Sequence, residues 1–417
     1  MDTAAGVSTP SEAWTPTTVA AVQEAVREAG ATRTPVRIIG RGTWLDAGWP
    51  VAADARAVRL DALRGITQYT PGDLTLTALA GTPLSDIVDA TAAEGQWLAL
   101  DPFGDAEHGG TIGATFATAS AGPLAQALGL PRDIALGLEV VTGDGEIVRA
   151  GGRVVKNVAG FDVTRLMTGA WGTLGVITEI SVRLRARPEV DQTLAVARVG
   201  AVEAAADVAT ALRSAAVTPL AAELLNPALA TRLGVTATGT SVLMLRLGGN
   251  AERVASEVAA VGALGDWAAI DGDVWRAMRR CEPPDSDVAV LRWSQLPGLV
   301  SATWRHVVQR CAGFPDALIH ASLTRGVVRA ILPHPDAAAV AAILRTDGRP
   351  SGGDAFVGAR IAERLPAPLW CAEHSTVAAD RLARRVRLAF DPWHILNPGV
   401  LGEATRDDTD RHELHGR

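Results

Sequence analysis

At 417 residues the chain exceeds what one ordinary core holds, and two or three domains are expected. Its 48% hydrophobic and 20% charged residues are those of a soluble globular protein, and a net charge of −7 argues against nucleic acid, which requires a basic face. Three well-separated cysteines, Cys281, Cys311 and Cys371, form no CxxC or Cys/His spacing. They support neither a zinc site nor a cysteine-held iron–sulfur cluster, and read as reduced thiols. The opening MDTAAGVSTPSEAW shows no basic-then-apolar leader, and no window reaches 18 apolar residues. The expectation is a cytoplasmic protein without an integral membrane segment, at most peripheral to the inner face of the cell membrane.

In chain order, Thr17–Gly30 has apolar residues at helical spacing after Pro16 and predicts a short amphipathic helix. Val36–Ile39 predicts a strand that runs into Gly40-Arg41-Gly42-Thr43. Further strands are predicted at 56–60, 66–69 and 74–80, then a helix over Pro83–Glu94 with Thr82 as its N-cap. Gly109-Gly110-Thr111-Ile112-Gly113 opens a small-residue helix through Thr118. Leu136–Thr142 and Glu146–Ala150 flank Gly143-Asp144-Gly145, a hairpin signal. Val176–Leu184 predicts one more strand.

From about Glu189 the texture changes. Strand-like stretches at 193–199, 241–247, 287–294, 316–323 and 327–332 alternate with helical ones at 201–215, 251–263, 299–311 and 336–345. This order predicts an antiparallel sheet covered by helices and is compatible with two ferredoxin-like halves, although no sequence repeat is visible. A last helix, Val377–Phe390, leads into DPWHILNPG. After Gly402 a charged tail follows. The fold class is α+β. The expected division is a cofactor-type domain over 12–188, a cap over 189–376, a return segment over 377–402 and a tail over 403–417.

The most informative stretch is Gly151–Arg185. It holds the only lysine of the chain, Lys156, next to Asn157, one of four asparagines. Gly160, Gly169, Gly172 and Gly175 follow, and such glycines before a strand let backbone N–H groups approach a ligand. A Rossmann fingerprint fails, because Leu45 stands where the third glycine of the 40–45 segment is required, and no GK[ST] occurs for a P-loop.

Several separated glycine loops remain. The segments IIGRGTWLDAG (38–48), LDPFGDAEHGGTIGATFATASAGP (100–123), PRDIALGLEVVTGDGEIVRAGG (131–152), KNVAGFDVTRLMTGAWGTLGVITEISVRLRARP (156–188) and FDPWHILNPGVL (390–401) resemble the FAD-binding, PCMH-type, vanillyl-alcohol-oxidase superfamily. KNVAGFD…LMTGAWGTLGVITE and the SAGP after the second loop most resemble FAD-binding E subunits of bacterial glycolate oxidase. The resemblance implies that Gly40, Arg41, Gly42, Thr43 and Trp44 hold the FAD pyrophosphate. It places Gly110, Thr111, Ile112 and Gly113 along the pyrophosphate and ribityl chain, with Ala121 and Gly122 continuing that wall. Gly172, Gly175, Val176 and Ile177 would pack on the adenine end, and Asn397 would approach the isoalloxazine from the second domain. Trp44 departs from the small or polar residue common after the loop, and Ala114 from a second glycine.

GRGTW contains no histidine, so noncovalent FAD is expected, with His108 the only nearby alternative. Lys156 is expected to position its loop through Asp162 or the phosphates. For substrate chemistry the histidines make no short metal-ligand pair in the body of the chain, and no metal is expected. His374 is the best single histidine, and Arg292 and Arg325 are candidates for a carboxylate. No catalytic residue is assigned. The resemblance implies an oxidoreductase acting on CH–OH groups as a complex subunit. Its partners would be a second flavoprotein subunit and an iron–sulfur subunit, with a small 2-hydroxy acid as the substrate of the complex. The alternatives are a free-standing FAD dehydrogenase of another 2-hydroxy acid such as D-lactate, and a structural homologue without flavin.

Overall fold

The structure, a computed structural model, describes residues 13–103, 110–152, 162–198, 211–212, 214–215, 217–235, 240–282, 287–346, 359–372 and 381–402. The chain divides into two compact units. One comprises Met1–Ser120, Leu130–Ala186 and His374–Arg417, the other Ala121–Gly129 and Arg187–Glu373. Residues 121–129 therefore leave the first unit, contrary to a division by linear order. They are drawn into the second by Gln126, whose side chain donates to Pro219 O at 3.1 Å and accepts from Ala222 N at 3.1 Å.

In the first unit α1 (Val19–Thr32) starts where the Thr18 hydroxyl accepts from Ala21 N. Strands β1 (Val36–Ile39) and β2 (Arg56–Arg59) pair in parallel, with Ala13–Trp14 on the far side of β2. Then come β3 (Ile66–Thr70), β4 (Thr75–Leu79), α2 (Leu84–Ala92), α3 (Ile112–Thr118), β5 (Ala135–Val141), β6 (Ile147–Gly151), α4 (Val163–Met167) and β7 (Val176–Arg183). The five later strands form an antiparallel sheet in the order β3-β4-β7-β5-β6. The 143–145 turn closes the β5–β6 hairpin, with Val141 opposite Ile147. Thr82 does not cap α2. Its hydroxyl donates to Leu79 O at 2.6 Å and accepts from Gly65 N at 2.9 Å, while Pro83 takes the cap position and Leu84 N bonds Gly110 O.

One core unites Val22, Val26 and Ala29 of α1 with Ile112 and Phe116 of α3, Ile180 and Val182 of β7, and Ile395 and Leu396 near the C-terminus. The terminal segment is built in by hydrogen bonds. After the helix Arg381–Phe390, the fully buried Asp391 carboxylate accepts from Ile395 N at 3.1 Å and Leu396 N at 2.9 Å. Arg387 donates to Leu396 O, and Val36 N donates to Ile395 O, so the return lies beside β1. Burial pushes the Asp391 carboxyl above its ordinary value, partly opposed by the two amides and Arg387.

The second unit carries β8 (Val190–Arg198), β9 (Ala221–Leu225), α5 (Pro227–Arg232), β10 (Ser241–Gly249), α6 (Ala251–Gly262), β11 (Ala268–Ile270) and α7 (Val274–Arg279). It continues with β12 (Val288–Ser294), α8 (Val300–Arg310), β13 (Leu318–Ser322), β14 (Val327–Pro333), α9 (Ala337–Thr346) and β15 (Ala359–Arg364). These strands make one antiparallel sheet in the order β11-β8-β10-β9-β13-β14-β12-β15. Numbered within its half, each set of four runs 4-1-3-2, the ferredoxin-like order, and the halves join where β9 meets β13.

Part of this sheet's interior is ionic. Arg329 of β14, 2% exposed, is held by Glu282 and by Glu363, and Arg292 bonds the same Glu363 at 2.6 Å. Burial alone would raise Glu363, but Arg329 and Arg292 overcome it and hold the carboxyl below its ordinary range. A depressed carboxyl stabilises the fold above its unfolded value and loses that contribution as pH falls through its folded value. Thermal stability is therefore expected to decline as pH falls below about 4.5. Glu363→Gln should flatten that decline in calorimetry across pH 2.5–6; an unchanged profile would count against it.

Candidate functional site: a glycine-lined cleft

The first unit contains an open cleft lined mostly by small and apolar residues. Its floor is the loop that follows β1. At Gly42 φ is +80°, a left-handed conformation that a side chain rarely adopts. No described residue accepts a hydrogen bond from the amides of Gly40, Gly42, Thr43 or Trp44. A run of unpaired N–H groups on a concave wall is a nest for an anion.

A second wall comes from α3, but its first amides are already spent. Ile112 N donates to Thr82 O, Gly113 N to Ala80 O at 2.9 Å, and Ala114 N to Thr111 Oγ1 at 3.2 Å. Gly113 is required by close approach, since a Cβ there would stand 2.6 Å from the Cβ of Ala80. Helix α3 thus offers small residues to the cleft rather than hydrogen bonds.

The third wall is the turn before β7. Gly172 has φ +70°, and Asn397 clamps the turn to β1: its side chain accepts from Ile38 N at 2.8 Å and donates to Trp171 O at 2.7 Å. The rings of Trp44 and Trp171 stack with centroids 6.5 Å apart and planes 12° from parallel. The indole N–H of Trp44 is shielded from solvent and meets no acceptor among the described residues. A buried unsatisfied donor is costly, and a ligand oxygen would relieve it.

Of the residues singled out in the sequence, Gly40, Arg41, Gly42, Thr43, Trp44, Thr111, Gly113, Gly172, Gly175, Ile177 and Asn397 line this one cleft. Others do not. Ile112 and Val176 are fully buried in the core, because their positions on α3 and β7 face inward. Gly110 instead accepts from Leu84 N through its carbonyl. Ala121 and Gly122 belong to the second unit, where Gly122 O accepts from Arg325. Asn397 lies in the first unit, not the second, and its amide is a brace between two walls. Lys156, Asn157, Gly160, His108 and His374 lie outside the described residues. The sequence reading missed Arg37, Ala117, Trp171 and Val400. Trp171 carried a signal, standing between Gly169 and Gly172; the others read as ordinary strand, helix or loop positions.

In the second unit Arg292 donates to Glu363 and to Ser294, and Arg325 to Gly122 O. His320 Nδ1 pairs with Glu223 Oε2 at 2.8 Å, both side chains almost fully buried.

Comparison with known proteins bears on the first unit. Residues 10–151 match the sequence model of a family described as an FAD binding domain. The chain carries an FAD-binding domain.

Over 174 residues, 42% of this chain and 49% of the relative, the sequence is 41% identical to glycolate oxidase subunit GlcE of Escherichia coli (strain K12). It is 31% identical over 238 residues to glycolate oxidase subunit GlcD of Bacillus subtilis (strain 168), covering 56% of this chain and 50% of that one. The chain spans about half the length of these curated relatives. A p-cresol methylhydroxylase structure superimposes with a TM-score of 0.71 at 15% identity, over 93% of this chain and 88% of that one. An alkyldihydroxyacetonephosphate synthase does so with 0.66 at 17%, over 92% and 76%. These likenesses establish the fold, and FAD is the cofactor of the family. The FAD-binding domain fits that cofactor by its open amides, its small-residue walls and the unsatisfied Trp44 N–H. Among the described residues no helix is long and apolar enough to cross a membrane.

Proposed function

We propose that this chain is the FAD-binding subunit of a glycolate-oxidase-type complex that oxidises a 2-hydroxy acid such as glycolate to the 2-oxo acid. Electrons would leave through a second flavoprotein subunit and an iron–sulfur subunit. The observation that carries the reading is the open amide loop Gly40–Trp44, inside the stretch that matches the FAD binding domain model, together with 41% identity to GlcE over 174 residues. In this reading Gly40, Gly42, Thr43 and Trp44 hold the phosphates through backbone N–H groups and the Trp44 indole. Thr111, Gly113 and Ala117 keep side-chain bulk away from the cofactor, and Gly172, Gly175 and Ile177 receive the adenine end. FAD is held noncovalently, since the loop contains no histidine. When bound, FAD supplies a hydride acceptor for the carbinol carbon. The arginines expected to take a substrate carboxylate are engaged within the protein, which supports assigning substrate oxidation to the complex.

A second reading, a free-standing 2-hydroxy-acid dehydrogenase, draws on the buried Glu223–His320 pair. The carboxylate orients the ring and favours one tautomer, which is how a proton-accepting histidine is held. Anaerobic addition of glycolate or D-lactate to the purified full chain separates the two. The flavin band is expected to persist for the isolated chain and to bleach once the partner subunits are present. Bleaching of the isolated chain would favour the second reading, and a purified chain that cannot bind FAD would defeat both.

A further inference from the structure

We propose that Arg37 is a further cofactor-binding residue, fastening the Gly40–Trp44 loop and supplying the fixed positive charge that meets the cofactor's phosphates. It sits on β1, the strand that enters the loop, and its Nη2 donates to the carbonyl of Leu45 just beyond the loop. The loop is thereby tied at both ends, by the strand before it and by this bond after it. A guanidinium carries five N–H donors. The bond to Leu45 uses one, and none of the other four has a partner among the described residues. No described carboxylate forms an ion pair with Arg37, and Asp46 acts on it only through space.

Partial burial makes this cation costly, lowering its pKa, with Asp46 giving back only part. A half-buried arginine with unused donors is poorly explained as a structural residue, because one carbonyl does not offset the desolvation of a charge. Among the described residues the rest of the cleft supplies no comparable group: the other charged one lining it, Arg41, is exposed and already engaged. Backbone amides bring partial charges to a pyrophosphate. Arg37 would bring a full charge and a planar fork that matches a pair of phosphate oxygens.

The inference rests on placing the phosphates at the 40–44 loop, so the test separates the two. Deflavinated full-length protein is titrated calorimetrically with FAD and with ADP at 50 and 300 mM salt. The proteins compared are the wild type, Arg37→Gln, Arg37→Lys and Gly42→Val. Arg37→Gln is expected to weaken both ligands by about tenfold and to flatten the salt dependence. Arg37→Lys, which keeps the charge but not the fork, should fall between the two and keep the wild-type salt dependence. Arg37→Gln binding FAD within about twofold of wild type, with unchanged salt dependence, would overturn the assignment. Should Arg37→Gln lose its fold by circular dichroism, Arg37→Lys decides: FAD affinity there within about twofold of wild type overturns it. Gly42→Val, strained by its positive φ, reports on the loop itself. Weak binding there with normal binding in Arg37→Gln leaves the loop reading intact and removes Arg37. Normal binding in both removes the phosphates from the loop.

Discussion

Asn397→Ala is expected to destabilise the FAD-binding domain by about 2–4 kcal/mol and to remove most of its flavin. The substitution strips the acceptor from Ile38 N and the donor from Trp171 O, two groups that lie between cleft walls. It also places alanine at φ +41°, a left-handed conformation that asparagine tolerates better. Because Asn397 joins β1 to the Trp171–Gly172 turn, its loss should loosen both walls at once. The fall in Tm should be on the order of 10 °C in the apo-protein. Asn397→Asp keeps the acceptor but sets a carboxylate oxygen against Trp171 O, so it should also fail, though by less. Flavin content after purification and apo Tm measure the effect. A full complement of FAD with an unshifted Tm in Asn397→Ala would show that the clamp is dispensable.

Arg329→Met should destabilise the second unit by about 3–5 kcal/mol, since it leaves the buried Glu282 and the part-buried Glu363 without their shared cation. Removing one partner of a buried pair costs more than the pair contributes, because the remaining charge stays out of water. The double substitution Arg329→Met/Glu282→Gln is therefore expected to recover part of the loss, as one uncompensated charge disappears. Differential scanning calorimetry of the three proteins checks the order wild type, double, single. A double variant less stable than the single would contradict this account of the cluster.

Much of the first unit was legible in the sequence. Val36–Ile39, the 143–145 hairpin and Val176–Arg183 follow from period-two apolar spacing bounded by glycine turns, and these signals are local. The second unit was less legible. Ala221–Leu225 reads as an apolar run interrupted by Glu223, and only the pairing with His320 makes a buried glutamate there affordable. Residues 121–129 read as a continuation of the first unit, yet Gln126 satisfies backbone groups about 95 residues away. Arg37 reads as the polar half of a short strand, indistinguishable from the other arginines until its neighbours are known.

The sequence by itself determined where the backbone needs a residue without a Cβ. Gly42 and Gly172 hold left-handed conformations, a demand set by one residue's own dihedrals. What only the tertiary structure decided is which amides stay open. Both the 40–44 loop and the start of α3 carry glycines, and either could cradle an anion by sequence. In the fold the carbonyls of Ala80 and Thr82, about thirty residues away, take the amides of Gly113 and Ile112, while no described residue reaches those of Gly40, Gly42, Thr43 and Trp44. Hydrogen-bond saturation depends on distant partners, so it decides the site and cannot be read from the motif.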